Sequence, residues 1–151
     1  MLVQAVLPAA AARAESPQVL YMLHCQGCHL PDGGGSPGSV PSLTREIGRF
    51  LDAPGGRAFL VRVPGSFDSP LDDAELASVL NWMIGRFDPG VTFVPYTAHE
   101  VAGYRGEPLT DVEGLRAELL DAIARRELSP PGPSRASREA DEARESDRSP
   151  R

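Results

Sequence analysis

Glycine and proline interrupt this chain so often that regular structure has few windows left. They number 15 each in 151 residues. One cluster, Pro31, Gly33, Gly34, Gly35, Pro37, Gly38 and Pro41, excludes a helix or strand over 31–42. Pro54, Gly55 and Gly56 make a second break, and Pro64 and Pro70 bracket a further loop. The stretches between these breaks carry helical spacing. Ser16 and Pro17 have the chemistry of an N-cap and a first helical residue, which predicts a helix over 17–25 with Val19, Leu20, Met22 and Leu23 as its buried stripe. Residues 44–51 and 57–63 each fit one or two turns. Asp72 and Glu75 have capping-box spacing and Leu71 and Leu76 staple spacing, so the best-marked helix runs over 72–86. Leu76, Val79, Leu80, Met83 and Phe87 share its apolar face, with Trp82 beside them. Residues 88–108 read as loop. Thr110 and Glu113 open a last helix reaching 128, with Val112, Leu115, Leu119 and Ile123 on one side. Alternating strand patterns and internal repeats are both lacking. The expected class is all-α: a small helical domain over 15–87 with long Gly/Pro loops, and an extension over 88–128 containing one extra C-terminal helix.

The two ends differ from this middle. Residues 1–14 join a short apolar stretch to the small-residue pattern Ala12-Arg13-Ala14 before Glu15, the end of an export signal, which predicts a periplasmic or otherwise exported protein. Residues 129–151 are Pro, Ser, Arg and acidic residues with nothing to bury, so a disordered tail is expected. The formal charge is -6 and the pI about 5.0. Over 15–128 nine Arg face sixteen Asp and Glu, so the folded part stands near -7. An acidic surface favours basic or neutral partners and excludes nucleic acid, which needs a basic patch. No window of 18 apolar residues occurs, so no membrane span is expected in the mature chain.

The chemistry sits in Cys25-Gln26-Gly27-Cys28-His29, which uses both cysteines of the chain. This is the C-x-x-C-H pattern of covalent haem attachment. Two thiols three positions apart can each add to a vinyl group on one edge of a porphyrin, and the next residue, His29, is then placed to ligate the iron as proximal ligand. Other chemistries compete. A thioredoxin-like redox pair wants its C-x-x-C after a strand in a βαβ unit. A zinc site can draw on Cys25, Cys28 and two of His24, His29 and His99, though a second ligand pair at regular spacing is missing. A chance occurrence of the pattern is the third alternative.

Residues 17–87 resemble a class I cytochrome c domain. In that family a short helix runs into the haem motif, as 17–29 does here, and a Gly-rich loop follows. The loop ends in a segment like Gly38-Ser39-Val40-Pro41-Ser42-Leu43. The resemblance implies that the Pro41 carbonyl accepts the hydrogen bond of the His29 imidazole. It also implies that the helix opened by Leu71-Asp72-Asp73-Ala74-Glu75-Leu76 crosses the first helix with Trp82 at the contact. The cofactor would be one covalent haem c, with Cys25 and Cys28 as anchors, Pro41 as orienting group and His29 as iron ligand.

One departure from the family matters. The sixth iron ligand is usually a methionine in the loop before the last helix, and that place is Val63-Pro64 here. No Met or His occurs between Leu30 and Trp82, and the chain has no Lys. Met83, His99, Met22 and His24 remain as candidates; otherwise the position holds water or nothing. Six-coordinate iron suits electron transfer, whereas an open iron binds oxygen, nitric oxide, carbon monoxide or peroxide. Arg62, Tyr96 and Tyr104 offer polar groups to such a pocket. The expected function is therefore that of an electron carrier, not an enzyme, working between redox partners such as a periplasmic dehydrogenase or oxidase. The alternative is a haem sensor or gas- or peroxide-binding protein. A third reading makes the chain a haem-bearing subunit whose helix at 110–128 docks on a larger complex.

Overall fold

The structure, a computed structural model, describes residues 15–128. The expected export segment at 1–14 and tail at 129–151 lie outside the described residues. Among the described residues the chain is helical and has no named strand; one isolated antiparallel bridge pairs Ser36 with Val40.

Helix α1 (Pro17–His24) starts as its sequence demands, with the Ser16 hydroxyl accepting from the Val19 N–H at 3.3 Å and Pro17 at the first position. It stops one residue short of Cys25, and a single turn, α2 (Gln26–His29), follows. A 3-10 helix over Ile47–Asp52 replaces the α-helical turns expected at 44–51, after Arg45 adopts φ 58°. Helix α3 (Gly56–Arg62) falls where 57–63 was expected. Between Pro64 and Pro70 the expected loop contains a turn of helix, α4 (Pro64–Phe67), because Pro64 sits at the N-terminal position it tolerates. Helix α5 (Asp73–Phe87) has the full capping box: Asp72 accepts from the Glu75 N–H at 2.8 Å and Glu75 accepts from the Asp72 N–H at 3.0 Å.

The expected stripe of α1 is corrected. Leu20 and Tyr21 are buried, while Val19, Met22 and Leu23 are 37%, 53% and 66% exposed. The helical period puts positions 20 and 21 on one face and swings 19, 22 and 23 to the other. Through that face α1 packs on α5, where Tyr21 lies 5.1 Å from Trp82 and 5.3 Å from Phe87 between ring centroids. Phe50 stacks on Phe59 at 5.3 Å in the second half of the core.

The extension also departs from expectation, since 88–108 is not all loop. Helix α6 (Ala98–Tyr104) forms inside it, its start marked by Thr97, whose hydroxyl accepts from the Glu100 N–H at 3.2 Å. Val101 and Tyr96 bury themselves against α5 and α3. Side chains then bind this stretch down as a strap. Asn81 of α5 accepts from the Tyr96 N–H at 2.7 Å and donates to the Tyr96 carbonyl at 3.0 Å, pairing like a peptide group. Arg57 of α3 makes a two-pronged bridge to Glu100 at 2.6 and 2.7 Å, donates to the Val94 carbonyl and lies over the Tyr96 ring. That pairing holds the Glu100 carboxyl below its usual range, the Arg57 hydrogen bond being the main cause.

Helix α7 (Val112–Leu128) is entered through Asp111, which accepts from the Gly114 N–H at 2.8 Å, in place of the expected Thr110 box. As expected, Leu119 and Ile123 are buried, with Val112 and Leu115 packed beside them. The helix lies on the 3-10 segment, and Arg49 bridges to Glu127 at 3.3 Å. Among the described residues no helix is long and apolar enough to cross a membrane.

Candidate functional site

The junction of α1 and α2 puts Cys25, Cys28 and His29 on one turn. The Cys25 carbonyl accepts from both the Cys28 N–H (3.2 Å) and the His29 N–H (3.0 Å), so the three residues form a single hydrogen-bonded unit. Cys25 is half-buried and Cys28 exposed, and they are not joined by a disulfide. Burial, and then the neighbouring Cys28, push the Cys25 thiol up to about 11. A thiol-disulfide catalyst needs a thiolate near neutral pH, so this environment opposes the redox-pair reading. Among the described residues no group of three or more His, Cys, Asp or Glu side chains is placed to hold a metal ion.

His29 is half-buried, and its Nδ1 is a fully buried side-chain atom with no hydrogen-bond partner. Burial lowers its pKa from the ordinary value, and the nearby Pro41 carbonyl works in the opposite direction. That carbonyl is near enough to favour the charged ring, yet it does not meet hydrogen-bond geometry at Nδ1. The neutral imidazole with a lone pair to give is thus the favoured form, as a metal ligand requires.

The chain reverses immediately after His29 to bring Pro41 back. Leu30 takes φ 63° and ψ 164°, a conformation that strongly disfavours side chains, and the Tyr21 hydroxyl donates to its carbonyl at 2.6 Å. Burial of Tyr21, in that latch, pushes its hydroxyl up to about 12. Gly35, at φ 67°, donates to the His29 carbonyl at 3.1 Å. A Cβ on Gly35 would overlap the Val40 carbonyl oxygen and stand 2.6 Å from that of Pro41. Only glycine allows this approach. The loop is then closed by the Ser36–Val40 bridge, by Leu43 N–H to the Gly33 carbonyl at 2.8 Å and by Thr44 Oγ1 to the Asp32 carbonyl at 3.0 Å.

The candidates for a second axial ligand are scattered. Met83 is 6% exposed within the core face of α5, and His99 is exposed on the first turn of α6. Met22 and His24 are exposed on α1, the helix that leads into the motif. Val63 caps α4 and packs on the core. Arg62 donates to the Glu107 carbonyl at 2.9 Å, so it faces the extension. Tyr96 donates its hydroxyl to the Arg57 carbonyl at 3.1 Å and is likewise engaged there, while Tyr104 is half-buried.

Sequence reading missed Tyr21 and Leu30. The spacing of Tyr21 from Leu30 carries no pattern, and positive φ at a leucine has no compositional sign. No protein-family model matches the chain, and no curated protein is significantly similar to it.

Proposed function

We propose that the chain is an exported monohaem c-type cytochrome that passes single electrons between periplasmic redox proteins, such as a dehydrogenase or an oxidase. The observation that carries this reading is the turn at 25–29, with two unbridged thiols and a half-buried imidazole whose inner nitrogen lacks a partner beside the Pro41 carbonyl. These residues fit a haem. Cys25 and Cys28 would each add S–H across a vinyl group, forming a C–S and a C–H bond with no change of iron oxidation state. His29 would ligate through Nε2, leaving the proton on Nδ1 and Pro41 as the acceptor that orients the ring. Bound haem supplies the one-electron couple. The packing of α1 on α5 with Trp82 at the contact supports the cytochrome c-like arrangement. The charge near -7 over 15–128 suits a basic or neutral partner face.

A second reading has its own support. Met83 is buried in the core, and His99, Met22 and His24 are all exposed. An iron without a second protein ligand would bind diatomic gases or peroxide, and the protein would then act as a sensor or ligand carrier. One optical experiment tests both. The protein matured with haem should show reduced c-type bands that survive denaturation, and Cys25→Ser with Cys28→Ser should abolish them. Bands indifferent to carbon monoxide support the electron carrier. A high-spin spectrum that shifts with carbon monoxide supports the sensor, and absence of covalent haem overturns both.

A further inference from the structure

Tyr21 touches the motif at both of its ends. Its backbone carbonyl accepts from the Cys25 N–H at 2.9 Å, where the motif opens, and its hydroxyl donates to the Leu30 carbonyl at 2.6 Å, one residue past its close. The Leu30 carbonyl also takes the Gly33 N–H at 3.2 Å. Tyr21 is itself firmly seated, 1% exposed with its ring against Trp82 and Phe87 of α5. His29 therefore stands in a backbone fixed on either side. Its N–H is bound to the Cys25 carbonyl at 3.0 Å, its carbonyl takes the Gly35 N–H at 3.1 Å, and the following residue is held by Tyr21. With the backbone set, two side-chain torsions are left to aim the imidazole. Leu30 at φ 63° keeps a conformation that persists only where neighbours impose it, and the Tyr21 hydroxyl supplies such a bond.

We propose that Tyr21 is a positioning residue for His29: its hydroxyl locks the turn that leaves the motif and so fixes the angle at which the imidazole meets the iron. For the iron this rests on the haem reading, whereas the clamp on the turn stands on the two bonds and the ring contacts. A partner that holds a ligand's surroundings still sets the ligand's orientation without touching the metal. Phenylalanine at this position would keep the packing on α5 and lose only the hydroxyl bond, so the two roles of Tyr21 are separable.

Hydrogen exchange on the full chain without haem reads the clamp. In Tyr21→Phe the amides of Leu30, Gly33 and Gly35 should exchange about tenfold faster, as the loss of one net hydrogen bond predicts, while α5 stays protected. Unchanged exchange at those three amides, or exchange that rises evenly over the whole chain, overturns the clamp. In the haem-loaded protein the readout is the spread of the haem-methyl proton shifts in the oxidised state, which follows the plane of the axial imidazole with or without a sixth ligand. That spread should narrow in Tyr21→Phe as the ring gains freedom. It should hold in Thr44→Val, which removes a hydroxyl bond elsewhere in the same loop. A loosened turn with unchanged shifts, or equal changes in both variants, overturns the control of His29. A wild type without covalent haem overturns that control together with the cytochrome reading, while exchange still decides whether Tyr21 clamps the turn.

Discussion

Two long stretches, the loop 30–44 and the strap 88–109 that contains α6, are held by opposite means. The first is closed mostly by its own backbone: glycines at positive φ, the Ser36–Val40 bridge and short-range carbonyl bonds. The second is held by side chains from elsewhere, with Asn81, Arg57 and Arg62 reaching out to it and Arg105 reaching back. A loop of the first kind depends on backbone conformations that single residues permit or forbid. A strap of the second kind depends on long side chains that desolvate carbonyls at a distance and lose rotamer freedom in doing so. The loop beside His29 is accordingly rigid by local necessity, and the strap is rigid only while its partners are in place.

The largest expected break falls on the loop. Gly35→Ala combines a left-handed backbone with overlap on two carbonyl oxygens, and should cost about 3 kcal/mol in urea unfolding. A loss below about 1 kcal/mol would show that the loop yields easily, and the contrast with the strap would fail. Next comes Asn81→Ala, which leaves the Tyr96 N–H and carbonyl unpaired in a half-buried setting, with an expected loss of about 2 kcal/mol. Exchange should rise in 92–104 before it rises in 30–44. The smallest effect has the opposite sign. Leu30→Gly relieves a backbone strain of about 1–3 kcal/mol at the cost of added unfolded-state entropy, so a gain of about 1 kcal/mol in thermal unfolding is expected. A destabilised Leu30→Gly would mean that the leucine side chain itself secures the turn.

The same contrast explains what was legible beforehand. Capping chemistry announced α1 and α5, because Ser16 and the Asp72–Glu75 pair act within one turn of themselves. The breakers at 31–42 announced the loop, and the spacing of the motif announced Cys25, Cys28 and His29. Thr97 and Glu100 have the same spacing as the recognised caps, yet α6 went unread among polar and breaker residues. The α1 stripe differs from expectation because apolar content does not fix helical angle, and three of its four expected members face outward. Arg105 and Asn81 bond residues 15 to 39 positions away, and no local pattern encodes such partners. The approach of Pro41 to His29 was implied by family resemblance, and its carbonyl does lie near the ring, short of a hydrogen bond.

The aromatic contact between Tyr21 and Trp82 joins positions about sixty residues apart. Helix α1 is eight residues long, too short to persist alone in water, and its buried face finds its cover on α5. A chain emerging from its N-terminus thus exposes both thiols early, on a segment with nothing yet to pack against. Closing that span incurs a loop entropy that only the finished α5 can offset. The motif is made well before α5 and ordered only once α5 is in place.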